Sequence, residues 1–372
     1  MRVSVYVPFI VSVLLALLAP WAAPRLPPRP AAWALTCAAL VTAGAWVGAL
    51  ALLAFTGVGQ IPEVAEQGPW SVSMLRAENP VQLVVAVVGG LTLTGSALAL
   101  GLAARRHLRA LLWARRDCKR LPGGELAVID DPRPEAYALP GTPGRIVVSR
   151  GMLRALGDAE RQALLAHERA HLRHRHHAFQ ITWRLAAAVN PLLRPLVTSG
   201  AFVLERWADE EAAAATGDRT VVAHAIARAA LATSGARHRP GALAADGGPV
   251  PRRVRALLAP PRRPRRLPLI AGALLLALCC GSLTKAAVDT DAMFAGAMYP
   301  HCPSAARPEP GGQSADHHRS MSLTGRRSCR ARHQGEARET AHQLQAGQQP
   351  GVPHPGQTDD HRPADQPRAE HV

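Results

Sequence analysis

The residues best suited to chemistry form the pentapeptide His167-Glu168-Arg169-Ala170-His171. Two histidines four positions apart lie one turn apart on the same face of a helix, so both imidazoles can reach one metal ion. The adjacent Glu168 can then face a water at that ion. In sites of this kind Zn²⁺ makes the water acidic, and the carboxylate accepts its proton as the water attacks a peptide carbonyl. The spacing therefore predicts metal-assisted amide hydrolysis.

A catalytic zinc of this class needs a third protein ligand, and Glu205 is the candidate, 34 residues after His171. Asp209 follows Glu205 by four positions and shares its helical face. One of the two carboxylates can ligate the metal, while the other supports a ligating imidazole from behind. The alternative is a solvated acidic face that continues through Glu210 and Glu211.

The elements that position these residues can be read from the apolar pattern. We predict a helix from Asp158 to the Asn190-Pro191 pair, a second helix over 192–216 that ends at Gly217, and a third over 221–231. Short β-branched runs at 126–129 and 145–148 predict two strands, with proline-rich loops between them. The segment 235–266 reads as a linker with a short helix at 254–258.

The same pattern leaves further polar residues without a predicted role. His174, His176 and His177 alternate with arginines, which favours a solvated or lipid-facing surface over an auxiliary metal site. Arg219 and His224 lie just beyond the second helix. They are candidate stabilisers of a developing oxyanion by proximity in sequence alone, and we leave them outside the predicted site.

Four uncharged apolar runs, at 3–24, 30–62, 79–104 and 267–284, exclude a simple soluble globular protein. Each run is long enough for the about 20 residues that cross a bilayer. A cleaved signal peptide is the alternative for the first run. Arginines cluster between runs one and two, after run three and before run four. The positive-inside rule then places the N-terminus outside and the central segment in the cytoplasm.

Most of the net charge of +16 lies in that central segment, where residues 105–266 hold 29 of the 43 Lys and Arg residues but 14 of the 27 Asp and Glu residues. The segment lacks the interleaved aromatic residues of nucleic-acid readers, so we expect no direct nucleic-acid partner. Anionic lipid accounts for the charge more simply, and the lipid bilayer is the expected partner.

Three segments together resemble the catalytic region of BlaR/MecR-type membrane zinc metallopeptidases and of their relatives, the HtpX-type proteases. They are IVVSRGMLRAL at 146–156, LLAHERAHLRH at 164–174 and ERWAD at 205–209. The resemblance implies one Zn²⁺ per chain, held by His167, His171 and Glu205. It also implies that Glu168 is the general base and that Asp209 supports the site.

The predicted protein is a mostly α-helical membrane protein with an α+β zincin-like domain. We expect three transmembrane helices in 1–104, a cytoplasmic zinc metallopeptidase domain at 105–266, a fourth transmembrane helix at 267–288 and a disordered extracytoplasmic tail at 289–372. The tail is poor in aromatic residues and lacks isoleucine. In the sensor members of the resembled family, a large extracellular penicillin-binding domain follows the fourth span, and here we expect only the tail.

Three functions are compatible with this arrangement. The first is an endopeptidase whose cytoplasmic site cleaves a protein substrate, such as a transcriptional repressor, in response to a signal. The second is an HtpX-like protease that degrades damaged membrane proteins. The third is a non-catalytic membrane protein whose basic loop binds anionic lipid.

Overall fold

The computed structural model describes residues 4–65, 70, 83–236, 249–260 and 267–298. The chain divides into two units, Met1–Tyr299 and Pro300–Val372. The second unit lies outside the described residues, and so does most of the predicted tail.

Four helices of the described residues are long and apolar enough to cross a membrane, in agreement with the number of spans predicted. They are α1 (Val7–Ala22), α2 (Pro28–Val58), α3 (Leu83–Arg120) and α10 (Leu267–Met298). Helix α3 includes the basic stretch after the third apolar run. Helix α10 continues ten residues beyond the predicted end at 288, so the start of the predicted tail is helical. The alanines of that stretch favour helix strongly.

A three-stranded sheet follows α3. It contains β1 (Leu126–Ile129), β2 (Ala136–Leu139) and β3 (Arg145–Ser149) in the order β1-β3-β2. Strand β1 pairs with β3 in parallel, and β2 pairs with β3 antiparallel. Strand β2 was not predicted, because the prolines on both sides of it indicated loop. Among the described residues it pairs on one side only, which leaves an open strand edge.

The described residues between the sheet and α10 form six α-helices. They are α4 (Arg150–Ala155), α5 (Asp158–Arg173), α6 (His176–Val189), α7 (Arg194–Thr216), α8 (Arg219–Ala236) and α9 (Pro249–Leu258). Gly217 ends α7 in the left-handed conformation, as predicted. The single helix predicted from Asp158 to Asn190 is wrong, because Arg175 adopts a φ of 50° and separates α5 from α6. The chain therefore changes direction just after the metal-binding motif.

The α6–α7 hairpin packs among the candidate spanning helices. Trp183 Nε1 donates to Thr36 Oγ1 of α2 at 3.0 Å, and Asn190 Nδ2 donates to Ser12 Oγ of α1 at 2.9 Å. Ser12 lies near the middle of α1. Part of the segment predicted as a cytoplasmic domain thus contacts the spans along their length. Gly200 makes this packing possible, since a Cβ there would lie 2.4 Å from the Trp183 ring.

Helix α5 is held between two packed surfaces. On one side Leu164 joins Ile146 and Val148 of β3 in a buried cluster. On the other side Ala163 packs with Ala212 of α7 and with residues of α8. Small side chains at this contact let the two helix backbones approach closely. As a result, α5 and α7 face each other across the predicted metal-binding motif.

Candidate metal centre

Three predicted ligands come together between α5 and α7. The Nε2 atoms of His167 and His171 lie 3.1 Å apart. Glu205 Oε2 lies 3.6 Å from His167 Nε2, and Glu205 Oε1 lies 3.6 Å from His171 Nε2. The ligand atoms of these three residues all lie within 4.8 Å of one another.

This donor set fits a catalytic zinc site. Ligand atoms at about 2.0–2.1 Å from a tetrahedral zinc are separated from one another by about 3.3 Å, close to the spacings between these three side chains. Two imidazoles and one carboxylate are also a known ligand set for catalytic zinc, which leaves a fourth position for water or substrate. The residues present therefore fit the metal that the sequence predicted.

Asp209 lies one turn beyond Glu205 and supports His167 from behind. Its side chain is 2% exposed, and its Oδ1 atom lies 3.0 Å from His167 Nδ1. The two groups are at ion-pair distance. Glu205 therefore faces the metal position, and Asp209 faces the opposite nitrogen of a ligand imidazole. The resemblance implied Glu205 as a ligand and Asp209 as a support, and these roles stay predictions.

Arg253 of α9 completes this side of the site and was missed by the sequence analysis. Its Nε atom donates to Asp209 Oδ2 at 2.8 Å, and its Nη2 atom donates to Asp209 Oδ1 at 2.6 Å. Its Nη1 atom lies 2.9 Å from Glu205 Oε2. In the sequence, Arg253 was one of several arginines in a segment read as a linker, and nothing local separates it from Arg252 or Arg255.

His176 occupies the corresponding position behind His171. Its side chain is buried, and its Nδ1 atom lies 2.8 Å from His171 Nδ1. The left-handed turn at Arg175 brings this residue back toward the motif. The solvated or lipid-facing surface expected for the three histidines is therefore wrong for His176. His174 is partly exposed, and its ring stacks on Trp207 with centroids 4.7 Å apart.

The pKa values of His167 and His171 are shifted in opposite directions. Burial lowers the pKa of His167, but the carboxylates of Asp209 and Glu205 outweigh it and raise the pKa to about 10. Burial and the neighbouring charge of His167 lower the pKa of His171 to about 4. Burial raises the pKa of Glu205, but the contacts with His167 and Arg253 lower it to about 2. Glu205 is thus an anion.

Glu168 lines the same cavity as His167 and Glu205 but is not one of the three grouped ligand residues. Its side chain is buried, and burial raises its pKa above the usual range, although the charge of His167 acts in the opposite direction. A carboxylate with a raised pKa accepts a proton more readily near neutral pH. This property suits the general base that the motif predicted.

A cavity of about 570 Å³ opens over Glu168 and His167. One wall is strand β2, with Ala136 and Tyr137, and the other is helix α8, with apolar residues that include Val222 and Ile226. The wall of α8 contains no charged side chain. The cavity therefore joins an open strand edge, a buried carboxylate and an apolar pocket.

The two candidate oxyanion stabilisers do not lie in this cavity. Arg219 pairs with Glu210 at the far end of α7, and it lines a different cavity. His224 is exposed and does not line the cavity. The only arginine that reaches the cavity among the described residues is Arg253.

Comparison with known proteins identifies the domain that contains the site. The family model "Peptidase family M48" matches residues 105–239. These residues form an M48 peptidase domain. Members of this family are metallopeptidases, and the predicted resemblance to HtpX-type membrane metallopeptidases is confirmed. The M48 domain includes His167, Glu168, His171, Glu205 and Asp209, whereas Arg253 lies beyond the matched residues.

One curated protein shows local similarity to the chain. It is named "Protease HtpX homolog", comes from Thermoplasma acidophilum, and is 44% identical over 62 residues. The match covers 17% of this chain and 20% of the relative. The chain therefore matches about a fifth of the length of that relative. No solved structure matches the chain significantly.

Proposed function

We propose that this protein is an integral membrane zinc-dependent endopeptidase whose M48 domain hydrolyses peptide bonds. The observation that carries the proposal is the convergence of His167, His171 and Glu205 beside the buried carboxylate of Glu168. The open strand edge and the cavity place a peptide-sized space next to that group. The M48 match over residues 105–239 supports the same activity.

His167, His171 and Glu205 would hold the metal. When bound, Zn²⁺ supplies Lewis acidity, polarising the scissile carbonyl and lowering the pKa of water. Glu168 takes the proton from the attacking water and returns it to the leaving amine, for which its raised pKa is suited. Asp209 keeps the ring of His167 oriented, and Arg253 fixes the carboxylates of Asp209 and Glu205.

Strand β2 is the expected binding site for the substrate backbone. An extended peptide can add to an open strand edge through main-chain hydrogen bonds, while alternate side chains enter neighbouring pockets. The wall formed by Val222, Ile226 and their neighbours on α8 then receives an apolar side chain. We therefore expect cleavage of unfolded or extended segments with an apolar residue next to the scissile bond.

We propose that the protein is a multi-pass protein of the cell membrane with its catalytic site in the cytoplasm. The arginine clusters at the ends of the spans support this orientation. Arg206 of the M48 domain also donates to the carbonyl of Pro24 in the loop between α1 and α2, so this loop and the domain share one side. Alkaline phosphatase fused after residue 120 should be inactive, and a fusion after residue 298 should be active.

We propose membrane proteins as the first candidate class of substrate. The α6–α7 hairpin packs along the candidate spans, so the active site lies close to the bilayer. This placement favours substrates that present an extended segment near the membrane, as damaged membrane proteins do. Signal-dependent cleavage of a regulator, such as a transcriptional repressor, is the second candidate and rests on the resemblance to BlaR/MecR-type proteins.

The activity can be tested with the purified full-length protein in lipid nanodiscs. We expect about one zinc per chain and cleavage of an unfolded reporter protein, both lost on chelation and restored by added zinc. The same reporter tested with and without a membrane anchor separates the two substrate classes. Faster cleavage of the anchored form favours membrane proteins, and equal rates favour a soluble regulator. Full cleavage without zinc would contradict the proposal.

A further inference from the structure

A second cavity, of about 550 Å³, lies outside the metal centre and is strongly basic. It is enclosed by the loop between α1 and α2, the second half of α7, and α9. Its lining includes two glutamates, Glu210 and Glu211, and six arginines: Arg25, Arg29, Arg206, Arg219, Arg252 and Arg255. We call it the arginine pocket. The positive charge in its lining exceeds the negative charge by four.

Two of the six arginines make polar contacts with other groups of the protein. Arg219 pairs with Glu210, and Arg206 donates to the backbone carbonyls of Pro24 and Leu26. These contacts tie the loop between the spans to α7. The other arginines differ, since the described residues offer no carboxylate partner to Arg25, Arg29, Arg252 or Arg255.

Several of these arginines are nevertheless held in place by aromatic rings. The guanidinium of Arg25 lies 4.2 Å from the centroid of Trp21, and that of Arg252 lies 4.8 Å from the centroid of Phe202. Arg25 Nη1 also donates to the backbone carbonyl of Trp21. Cation–π contacts position a guanidinium, and its remaining N–H groups can still donate. The arginine pocket thus presents oriented donors with unbalanced positive charge.

The position of the arginine pocket relative to the membrane follows from chain length. Helices α1 and α2 are candidate spans, and only five residues connect them. A connection that short lies at the membrane surface, whichever way the chain is oriented. Trp21 and Trp33, near the helix ends on either side of the loop, are 55% and 56% exposed, as expected for side chains at the level of the lipid headgroups.

We propose that the arginine pocket binds the phosphate-bearing headgroup of an anionic phospholipid from the adjoining leaflet. Guanidinium groups match phosphate oxygens in both charge and geometry. Basic pockets beside spanning helices are suited to lipid headgroups, and here the adjoining prolines and Phe202 provide apolar surface for the rest of the lipid. The proposal does not depend on the peptidase activity, because its test measures lipid binding.

The test uses the full-length protein in detergent, titrated with phosphatidylglycerol, with phosphatidylcholine or with inorganic phosphate, and monitored by native mass spectrometry. We expect phosphatidylglycerol to bind and phosphatidylcholine to bind at least tenfold more weakly. The Arg252→Gln/Arg255→Gln variant should bind phosphatidylglycerol roughly tenfold more weakly than the unchanged protein. Arg25→Gln, on the other side of the pocket, should also weaken the binding of phosphatidylglycerol.

The matched control is Arg105→Gln/Arg106→Gln, which removes the same charge from exposed residues beyond the third apolar run and outside the pocket. This variant should keep normal binding. If the two double variants lost phosphatidylglycerol binding equally, the lipid would be held by general electrostatic attraction, and the proposal would be overturned. Displacement of the lipid by equimolar inorganic phosphate would identify free phosphate as the occupant and overturn it too. Thermal unfolding of each variant checks that its fold is intact.

Discussion

The two candidate ligand histidines of the candidate metal centre are supported by different chemistry. Behind His167 lies the charged side of the centre, formed by Asp209 and Arg253. Behind His171 lies the histidine side, formed by the buried ring of His176. Both supports reach the Nδ1 atom, so both leave Nε2 of the ligand facing the common metal position.

Equivalent positions in a motif therefore need not be equivalent in energy. The carboxylates on the charged side raise the pKa of His167, so the imidazole carries a proton that a metal must displace. Burial on the histidine side lowers the pKa of His171, which is already neutral and ready to bind. A carboxylate also increases the basicity of a metal-bound imidazole more than a neutral ring does. The charged side should therefore matter more for zinc affinity.

The largest effect is expected from removing a ligand. His167→Ala, His171→Ala and Glu205→Ala should each lose zinc and abolish cleavage, because two protein ligands cannot hold a catalytic zinc tightly. Elemental analysis of the purified variants measures zinc, and a reporter assay measures cleavage. His174→Ala is the control, since that residue is not one of the three grouped ligands, and it should keep its zinc. A ligand variant with full zinc would contradict the assignment for that residue.

The next largest effect should come from the charged side. Asp209→Asn keeps the size of the side chain but removes its charge, so zinc affinity and activity should both fall by roughly 10–100-fold. Competition with a chromophoric chelator gives the zinc affinity. Asp218→Asn, at an exposed position, is the control and should leave zinc affinity and activity unchanged. Loss of all zinc from Asp209→Asn with full zinc in Glu205→Ala would mean that Asp209, and not Glu205, is the third ligand.

A smaller effect is expected from the histidine side. When His171 binds metal through Nε2, its Nδ1 atom carries a proton that His176 Nδ1 can accept. His176→Phe removes the acceptor but keeps a ring, and should weaken zinc binding by about tenfold or less. His176→Asn retains an acceptor and should restore most of the affinity. If His176→Phe weakens zinc binding more than Asp209→Asn does, the proposed order of the two sides is wrong.

The smallest effect on activity should follow from Arg253→Lys. Lysine keeps the charge near Asp209 and Glu205 but lacks the fork that donates to both carboxylates. We expect the free energy of unfolding to fall by about 1–2 kcal/mol and activity to fall only a few-fold. Chemical denaturation and the reporter assay measure the two quantities. Unchanged stability would show that the paired carboxylates do not need the guanidinium.

The parts of this site that could be predicted from sequence are those that depend on one helix at a time. His167 and His171 share a turn of α5, and Glu205 and Asp209 share a face of α7. Their local spacing was therefore sufficient to predict that each pair lies on one side of its helix. The four candidate spans could also be predicted, because a long run of apolar residues indicates a span without any knowledge of packing.

The remaining features depend on tertiary packing or on conformations without a local signal. Arg175 adopts a left-handed conformation that its residue type does not indicate, and this hid the approach of His176 to His171. Strand β2 was hidden by neighbouring prolines, although pairing with β3 stabilises it. Arg253 reaches the site from a helix distant in sequence, so only the folded chain shows its role.

The central claim is that Glu168 acts on water at a zinc held by other residues, and the Glu168→Gln variant tests it most directly. Glutamine has nearly the same size but cannot accept the proton, so the variant should retain one zinc per chain and lose roughly 10²–10⁴-fold in cleavage rate. Glu125→Gln, at an exposed surface pair, should match the unchanged protein in both measurements. Zinc content and reporter cleavage would be measured on the same preparations. Glu168→Gln protein with full zinc and undiminished cleavage would contradict the account.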